Sequence, residues 1–442
     1  MPAIINNAFR LFQTQNYLES FSETSPDIMY LFLGKASGWS GTSEGEYSGT
    51  GSDSSPPTPV DAAVTDYFNH SDMIGIKRIN VADMSRVIRR VNWTTATVYV
   101  QWDPLQDSIQ DLDFYVYTTG NNIYKCISNN GGAASTVMPT GTSTGILTTG
   151  DGYSWKYMYT ASAARRIKWE TINWIPVETL GSDDGSDQWD VQTAAVDGTI
   201  DRIGVTAGGS GYTTPVISGI TEANPAVVTA TGHGITNGTI VHIKDVVGMT
   251  EVNDLNFTIT YIDANSFSIG VNSTGYTTYG SAGTINPAVS VTDADGSSAT
   301  GTVTLSAGAV SAVTVSNVGS GYREQAVVTI SDVGGSGATA KPFTSPINGH
   351  GSDAVTELGG YYVMLYSILA GDIGSGDIPV GDDFRKVGII RNPEASAAPC
   401  TLDNYSGAEV DDDTGQILYV ENRTPILRAT GQTETVHIII SF

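Results

Sequence analysis

The glycine-rich stretch VTAGGSGYTTPVISG, residues 205–219, has the composition of a loop that could cradle a phosphate. A phosphate loop must follow a strand and open a helix, because the N-terminal N–H groups of that helix face the anion. TTPVISG follows here, and REQAVVTIS follows the similar GSGY at 319–322; both continuations are β-like and lack a Lys–Ser/Thr pair. We therefore predict that these glycines serve turns or close approach of strands, and that no cofactor binds here.

The histidines are the next residues that could do chemistry, as metal ligands. The sequence contains His70, His233, His242, His350 and His437. His233 and His242 could form a zinc pair, but no cysteine or third histidine lies near them, so we predict surface polar residues. DADG at 293–296 begins like a calcium loop, yet the acidic residue that such a loop needs later is missing. The sequence predicts no metal site.

Paired carboxylates could perform acid–base chemistry, but only inside a desolvated cleft that separates their pKa values. Asp183/Asp184, Asp382/Asp383 and the acidic run EVDDDTGQ at 409–416 lie in polar stretches that are typical of turns. No G-x-S-x-G, P-loop or H-E-x-x-H pattern occurs. We predict no catalytic residues and no enzymatic activity.

The charge balance and the ends of the chain bear on partners and location. The 442 residues carry a formal charge of −25, which would repel phosphate backbones, so we expect no nucleic-acid partner. The N-terminus lacks a secretory signal and no apolar run is long enough to span a membrane, so we expect no membrane contact. Two cysteines, Cys126 and Cys400, form no framework; a disulfide between them stays open, but so few thiols are typical of a reducing compartment. The sequence therefore favours folding in the cytoplasm.

Hydrophobic periodicity predicts the elements that position these residues. Residues 6–21 have helical spacing, 27–35 reads as a buried strand, and 60–79 begins as a helix and continues as a strand. The segments TATVYVQWD (95–103), FYVYTTGNNIYKCIS (114–128) and YSWKYMYT (153–160) alternate as strands do, the second with a hairpin turn at TGNN. We predict a mainly β, multidomain protein with a few short helices.

Internal repeats divide the chain. GTIDRIGVTAGGSGY (198–212) recurs as GAVSAVTVSNVGSGY (308–322), 110 positions later, and SVTDADGSSATG (290–301) recurs as TISDVGGSGATA (329–340), only 39 positions later. The unequal shifts predict a small β-module, about 221–286, nested inside the first copy. We predict segments 1–193 and 343–442 as a host, and 194–342 as an inserted, autonomous β-repeat domain whose first and last strands are neighbours.

The C-terminal block is rich in apolar residues. ILYVENR (417–423) and TVHIIISF (435–442) are predicted to pair as strands, with Gly431 in the turn between them. The near-continuous apolar run HIIISF predicts a strand that is covered on both faces.

Several motifs of the host segments resemble a known family. They are FLGKASGWS (32–40), PPTPVD (56–61), VIRRVNW (87–93), GDGYSWKYMY (150–159), IIRNPEA (389–395) and YVENRTPILRATGQTETVHIIISF (419–442). In this order they are similar to the baseplate wedge subunit encoded by gene 8 of T4-like contractile-tailed bacteriophages. The resemblance covers roughly 1–190 and 343–442, and not the inserted segment.

The resemblance implies a β-sandwich-type, non-enzymatic virion protein of the tail baseplate. It implies a homodimer in each of six wedges, assembled in the bacterial cytoplasm, that contacts other wedge proteins and moves with them on sheath contraction. Large aromatic and arginine side chains often anchor interfaces. Candidate interface residues are therefore Trp39, Arg89, Arg90, Trp93, Trp155 and Arg423, with burial in the core as the alternative for the tryptophans.

Two other functions stay open for the inserted segment. It could bind host glycans as a tail adhesin, with Tyr212, Tyr276, Tyr279 and Tyr322 as candidate stacking residues. A glycan-degrading enzyme would instead need two carboxylates about 5–10 Å apart in a cleft.

Overall fold

The computed structural model describes residues 5–23, 27–39, 51–106, 108–370, 383–394, 414–429 and 433–442. Several residues named above lie outside the described residues: Asp382, Cys400, Gly431 and most of the acidic run 409–416. Residues 40–50, which precede PPTPVD, lie outside them as well. The fold is mainly β, as predicted.

The helices are short. They are α1 (Asn7–Glu19), α2 (Ala63–Ser71), α3 (Ala163–Trp169), α4 (Asp187–Thr193) and α5 (Ala354–Leu358). The strands up to residue 210 are β1 (Met29–Gly34), β2 (Met73–Arg78), β3 (Met84–Arg89), β4 (Tyr115–Tyr117), β5 (Asn122–Ser128), β6 (Ile146–Thr148), β7 (Ser154–Thr160), β8 (Trp174–Pro176) and β9 (Ile200–Ser210).

The remaining strands follow in chain order. They are β10 (Gly219–Ile220), β11 (Val227–Thr229), β12 (Ile240–Val247), β13 (Leu255–Thr258), β14 (Thr260–Asp263), β15 (Ser266–Ser268), β16 (Ser281–Pro287), β17 (Val289–Thr292), β18 (Thr300–Ser306), β19 (Ala309–Asn317), β20 (Val327–Ile330), β21 (Ser336–Thr344), β22 (Tyr362–Ala370), β23 (Phe384–Arg391), β24 (Gln416–Ile426) and β25 (Thr433–Ser441).

The chain forms two compact units. The first contains Met1–Arg90, Ala161–Glu178 and Leu358–Phe442, and the second contains Val91–Thr160 and Thr179–Glu357. Residues 91–160 thus group with the inserted segment, whereas the prediction placed them in the host segment 1–193. Whether 194–342 folds by itself stays a prediction.

The first unit consists of two four-stranded sheets, in the orders β2-β1-β23-β24 and β25-β22-β3-β8. Alternate side chains of β1, such as Leu31 and Leu33, share one core with Val363 and Ile438 of the other sheet. The predicted helix and the strand that follows it are confirmed by α1 and β1. The Asn6 side chain caps α1 by accepting a hydrogen bond from the Phe9 N–H at 2.8 Å.

The predicted pairing of the two C-terminal strands is wrong. β24 pairs with β23, whereas β25 pairs with β22 along nine residues and lies in the other sheet. Ile438 of β25 is buried, and Val436 and Ile440 pack beside it in the core that both sheets share. The apolar residues of β25 pack in this core, whereas Leu418 and Tyr419 of β24 are exposed. The partner of each strand lies earlier in the chain, and periodicity carries no information about partner choice.

The second unit begins with the sheet β4-β5-β7-β6, which contains the predicted hairpin with Tyr117 opposite Ile123. TATVYVQWD forms no regular strand, contrary to the prediction. Its backbone forms hydrogen bonds with three separate segments. Thr97 forms an isolated β-bridge with Ser135. The Val100 N–H donates to the backbone oxygen of Asp113 at 3.0 Å, and the Trp102 N–H donates to that of Cys126 at 2.8 Å. The alternation therefore marks an extended chain that never follows one neighbouring strand.

The repeats form one six-stranded sheet in the order β17-β20-β21-β9-β19-β18. A bridge between Ala288 and Thr302 joins its two ends, so the sheet closes into a small barrel. The two copies exchange equivalent contacts: Tyr212 Oη accepts the Ala338 N–H at 3.2 Å, and Tyr322 Oη accepts the Ala299 N–H at 3.0 Å. Each repeat thus completes the other.

The glycine-rich stretches serve close approach of strands, one of the two predicted roles: Gly209 lies within β9, and Gly319 follows the end of β19. Gly209 and Gly319 have φ of 62° and 61°, and a Cβ at Gly319 would lie 2.4 Å from the Ser297 oxygen. At Gly209 the equivalent atom would lie 2.4 Å from the Ser336 oxygen. Close approach of two backbones therefore requires glycine at both positions.

The nested module comprises residues 215–287 and interrupts the barrel between β9 and β17. It contains the sheets β10-β11-β15-β14 and β13-β12-β16 around one core, to which Val333 of the second repeat also contributes. Its ends adjoin, because the Ile285 N–H donates to the Pro215 oxygen at 2.9 Å. The ends of the barrel adjoin as well, since Ile200 of β9 lies opposite Thr344 of β21.

Candidate functional site

Two of the candidate interface residues meet in the first unit. Trp39 is buried, and its Nε1–H donates to the backbone oxygen of Arg423 in β24 at 2.9 Å. Its backbone N–H donates to Asp53 Oδ1 at 3.0 Å, and Arg385 donates to both oxygens of Asp53 at 2.9 and 3.0 Å. The hydrogen bonds from Arg385 hold the pKa of Asp53 below its ordinary value. Trp39 therefore fastens the segment after β1 to the last strand of its sheet.

The three arginines among the candidate interface residues, Arg89, Arg90 and Arg423, differ in exposure. Arg423 is exposed and forms a 3.1 Å ion pair with Glu421 of the same strand. Arg89 and Arg90 are half-buried at the end of β3. Arg90 lies 3.0 Å from a Glu170 oxygen and donates to the Thr171 backbone oxygen at 3.1 Å. Of the three, Arg423 presents its guanidinium most openly to solvent.

The other two tryptophans lie in the second unit. Trp155 is fully buried in β7 and stacks on Tyr153, with ring centroids 5.3 Å apart. Trp93 is half-buried, and its Nε1–H donates to Ser135 Oγ at 3.1 Å. Burial of Trp39 and Trp155 is what the core alternative expects, and the interface role of the six candidates stays a prediction.

Asp151 of the GDGY motif organises this region, a role that the sequence analysis did not assign. Its carboxylate accepts hydrogen bonds from the backbone of Thr136 at 2.7 Å and of Val137 at 2.9 Å, and from the Thr149 hydroxyl at 2.5 Å. Burial raises the pKa of Asp151, but these hydrogen bonds outweigh it and hold the pKa well below its ordinary value. Asp151 thus ties the hairpin turn before β7 to the loop at 135–137.

A buried ionic cluster is the main concentration of charge inside the second unit. Lys125 of β5 contacts Glu357 of α5, and both side chains are buried. His350 Nε2 lies 2.5 Å from Asp201 Oδ2, and its Nδ1 lies 3.8 Å from Glu357 Oε2. Lys156 of β7 is buried nearby. The cluster therefore connects the β4–β7 sheet, the barrel strand β9 and α5.

Glu357 is the centre of this cluster. Its Oε1 accepts the backbone N–H of Gly351 at 2.7 Å and of Asp353 at 3.3 Å, while Oε2 faces Lys125. Burial raises the pKa of Glu357, but the contact with Lys125 and the proximity of His350 outweigh it and lower the pKa to about 2. Burial lowers the pKa of Lys125, and the Glu357 charge opposes this effect. Trp102 closes one side, with the Lys125 Nζ 4.5 Å from its ring centroid.

This arrangement suits packing rather than chemistry, since both carboxylates of the cluster already have protein partners: Lys125 and backbone N–H groups for Glu357, and His350 and the Thr199 hydroxyl for Asp201. Within the residues that the structure describes, no group of three or more His, Cys, Asp or Glu side chains could hold a metal ion. Cys126 is buried, and burial raises the pKa of its thiol. In the same ranges no helix is long and apolar enough to cross a membrane.

Two helices of the first unit expose apolar side chains that the sequence analysis did not single out. In α2, Val64 and Tyr67 are exposed, whereas the polar Thr65 and Asn69 are buried. In α1, Phe9 and Phe12 are exposed on the side opposite the residues that pack inward. An apolar stripe on the outer face of a helix is typical of a protein-binding surface. The spacing of apolar residues in the sequence locates such a stripe, but it does not tell which face of the helix packs against the rest of the protein.

Comparison with known proteins matches two segments of the chain. Residues 367–442 match the family model described as Bacteriophage T4, Gp8. Over 72 residues, the chain is 36% identical to baseplate wedge protein gp8 of Enterobacteria phage T4. The C-terminal segment resembles a phage baseplate protein. This match covers 15% of the chain and spans only 22% of the length of that relative, so it supports the predicted resemblance at the C-terminal end.

The second match falls on the nested module. Residues 223–287 match the family model described as the ubiquitin-activating enzyme E1 FCCH domain. The match concerns a single domain of that enzyme. It identifies a likeness of the module alone and assigns no activity to this chain.

Proposed function

We propose that the protein is a structural subunit of a phage contractile-tail baseplate wedge. The observation that carries this proposal is the match of residues 367–442 to the Gp8 family. The matched segment contributes β23, β24, β25 and the last four residues of β22, and its β23 pairs with β1 from the start of the chain. The segment therefore belongs to the central framework of the first unit and is not an appended tail.

In this role the subunit holds neighbouring wedge proteins together and moves with them when the sheath contracts. The exposed apolar stripes of α1 and α2 supply contact surface of the kind that such packing needs. We further propose a homodimer, assembled in the bacterial cytoplasm and incorporated into the tail. A dimer would have twice the 46.5 kDa mass of the chain in light scattering.

Mass spectrometry of purified tails, with subunit copy number, tests the location. We expect the protein in baseplate fractions at a multiple of six copies per tail. Its absence from tails that are otherwise complete would refute the proposal.

A double variant of α2 and one control variant test the exposed surface of that helix. Replacing Val64 and Tyr67 by Asp should leave the chain folded, because both side chains are exposed, but should exclude it from assembled wedges. The matched control is Ile172→Asp, an equally drastic change at an exposed site outside α1 and α2. Normal incorporation of the α2 variant would show that this stripe is not a wedge contact.

A further inference from the structure

The nested module carries a groove that none of the candidate sites includes. Its volume is about 590 Å³. It is lined by the loop GHGITN, residues 232–237, together with Tyr261 of β14 and Ala264. All of these residues belong to the nested module.

No ionised side chain lines the groove. His233 is buried beneath it with both ring nitrogens engaged: Nε2 lies 3.0 Å from the Asp263 backbone oxygen, and Nδ1 accepts the Ile235 N–H at 3.1 Å. The groove therefore offers nothing to neutralise a phosphate or a carboxylate, and no free ligand for a metal ion.

The aromatic ring of the lining is open to solvent. Tyr261 is 46% exposed, and its ring is held edge-on to His233, with centroids 5.9 Å apart. The tyrosines proposed from the sequence are not available in this way, because Tyr212 and Tyr322 are buried in the barrel. Tyr276 and Tyr279 pack against the core of the module.

The loop beside Tyr261 presents uncharged hydrogen-bonding groups. Asn237 Oδ1 accepts the Tyr261 N–H at 2.9 Å, so its NH₂ group points away and has no protein partner among the described residues. Thr236 is exposed, and its hydroxyl lies 3.1 Å from the Thr239 hydroxyl, which leaves it capacity for a further hydrogen bond. Gly232 and Gly234 have φ of 64° and no atom within 4 Å of a Cβ position, so the loop leaves bare backbone along the rim.

We propose that this groove binds a neutral saccharide. A pyranose ring has one apolar face of C–H groups, which fits the exposed Tyr261 ring, and a rim of hydroxyls, which fits the Asn237 amide and the Thr236 hydroxyl. The lining of the groove therefore offers both kinds of contact that one sugar ring requires. The site is independent of the wedge role, because it lies in the module that the Gp8 match does not cover.

Saturation-transfer NMR on the full chain tests the proposal, with methyl α-D-glucopyranoside, methyl β-D-galactopyranoside and N-acetylglucosamine as probes and sialic acid as a charged comparison. We expect transfer to the ring C–H protons of at least one neutral probe and none to sialic acid. Tyr261→Phe should retain binding, and Tyr261→Ala should weaken it about tenfold, the equivalent of ~1.4 kcal/mol of stacking. Asn237→Asp, which keeps the Oδ1 acceptor but removes the donor, should also weaken it.

Ile262→Ala is the matched control, because Ile262 is 50% exposed on the same strand and does not line the groove. No transfer to any neutral probe, or equal transfer in the wild type and Tyr261→Ala, would overturn the proposal. Binding of a proline-rich peptide in place of all the sugars would overturn it as well. If Tyr261→Ala fails to fold, Tyr261→Phe and Asn237→Asp still decide the outcome.

Discussion

At the scale of single residues, burial of Lys125 is the feature that the sequence conceals. It lies in the alternating run FYVYTTGNNIYKCIS, where a lysine normally predicts a solvent-facing position. Its partner, Glu357, lies 232 residues further along the chain, so no local pattern announces the pair. The alternation could be predicted because it is local, whereas the charge compensation depends on the completed fold.

Lys125→Met is expected to destabilise the chain strongly, because it leaves the buried Glu357 carboxylate without its cation. The loss should be about 3–5 kcal/mol in urea unfolding. Arg423→Ala, which breaks an exposed ion pair, should cost about 0–1 kcal/mol. A loss below that of the Arg423 control would show that the Lys125–Glu357 pair is not desolvated.

The same pair should respond to acid. The pKa of Glu357 in the folded chain, about 2, lies below its ordinary value of 4.5. Its ionised form therefore contributes full stability above pH 4.5, and this contribution is lost as the pH falls from 4.5 toward 2. Unfolding measured across this range should decline more steeply for the wild type than for Glu357→Gln. Parallel curves would mean that Glu357 titrates normally.

At the scale of elements, the strands and helices with clear periodicity were predictable, and their pairing was not. The α1 helix, β1 and the β4–β5 hairpin follow from local spacing and a turn. The partners of β24 and β25 do not, because each is chosen by long-range packing. The repeats were a stronger guide: the 110 and 39 residue shifts reappear as the reciprocal contacts of Tyr212 with Ala338 and of Tyr322 with Ala299.

Gly209 and Gly319, which occupy equivalent positions in the two repeats, give a test of the symmetry between the repeats. Gly319→Ala adds a Cβ at positive φ, costing ~1–2 kcal/mol, and presses it against the Ser297 oxygen, costing a further ~1–3 kcal/mol. Gly209→Ala should behave alike. Gly232→Ala, also at positive φ but with no atom within 4 Å, should show only the first cost. We expect a clearly lower melting temperature for the barrel variants, and equal values in all three would contradict close approach.

At the scale of the whole molecule, the strands of the nested module interrupt the barrel in the chain, between β9 and β17. The unequal repeat shifts made this interruption predictable, whereas the division of the chain into a host and an autonomous insert stays a prediction. Contacts around the barrel were not predictable: Asp201 of β9 joins His350 in the ionic cluster, and Trp102 Nε1–H donates to Thr344 at 3.2 Å. Such contacts depend on side chains whose surroundings only the fold defines.

Removal of the nested module tests this organisation. Replacing 216–284 by an Asn-Gly turn should preserve the barrel, because the Pro215 and Ile285 backbones are already hydrogen-bonded neighbours. The shortened chain should keep its β-sheet circular dichroism and a cooperative thermal transition, while losing any saccharide binding. An unfolded product would show that the barrel requires the module.

The pairing of Met29 with Arg391 governs when different parts of the chain can fold during synthesis. At ~5–20 residues per second, β1 emerges roughly 20 s or more before its partner β23 exists. The nested module and the barrel find all of their strands within residues 200–344, so they can form on the ribosome while the first sheet still waits. Translation thus builds this protein from the inside outward, and the apolar β1 is the stretch that a nascent-chain chaperone would have to protect the longest.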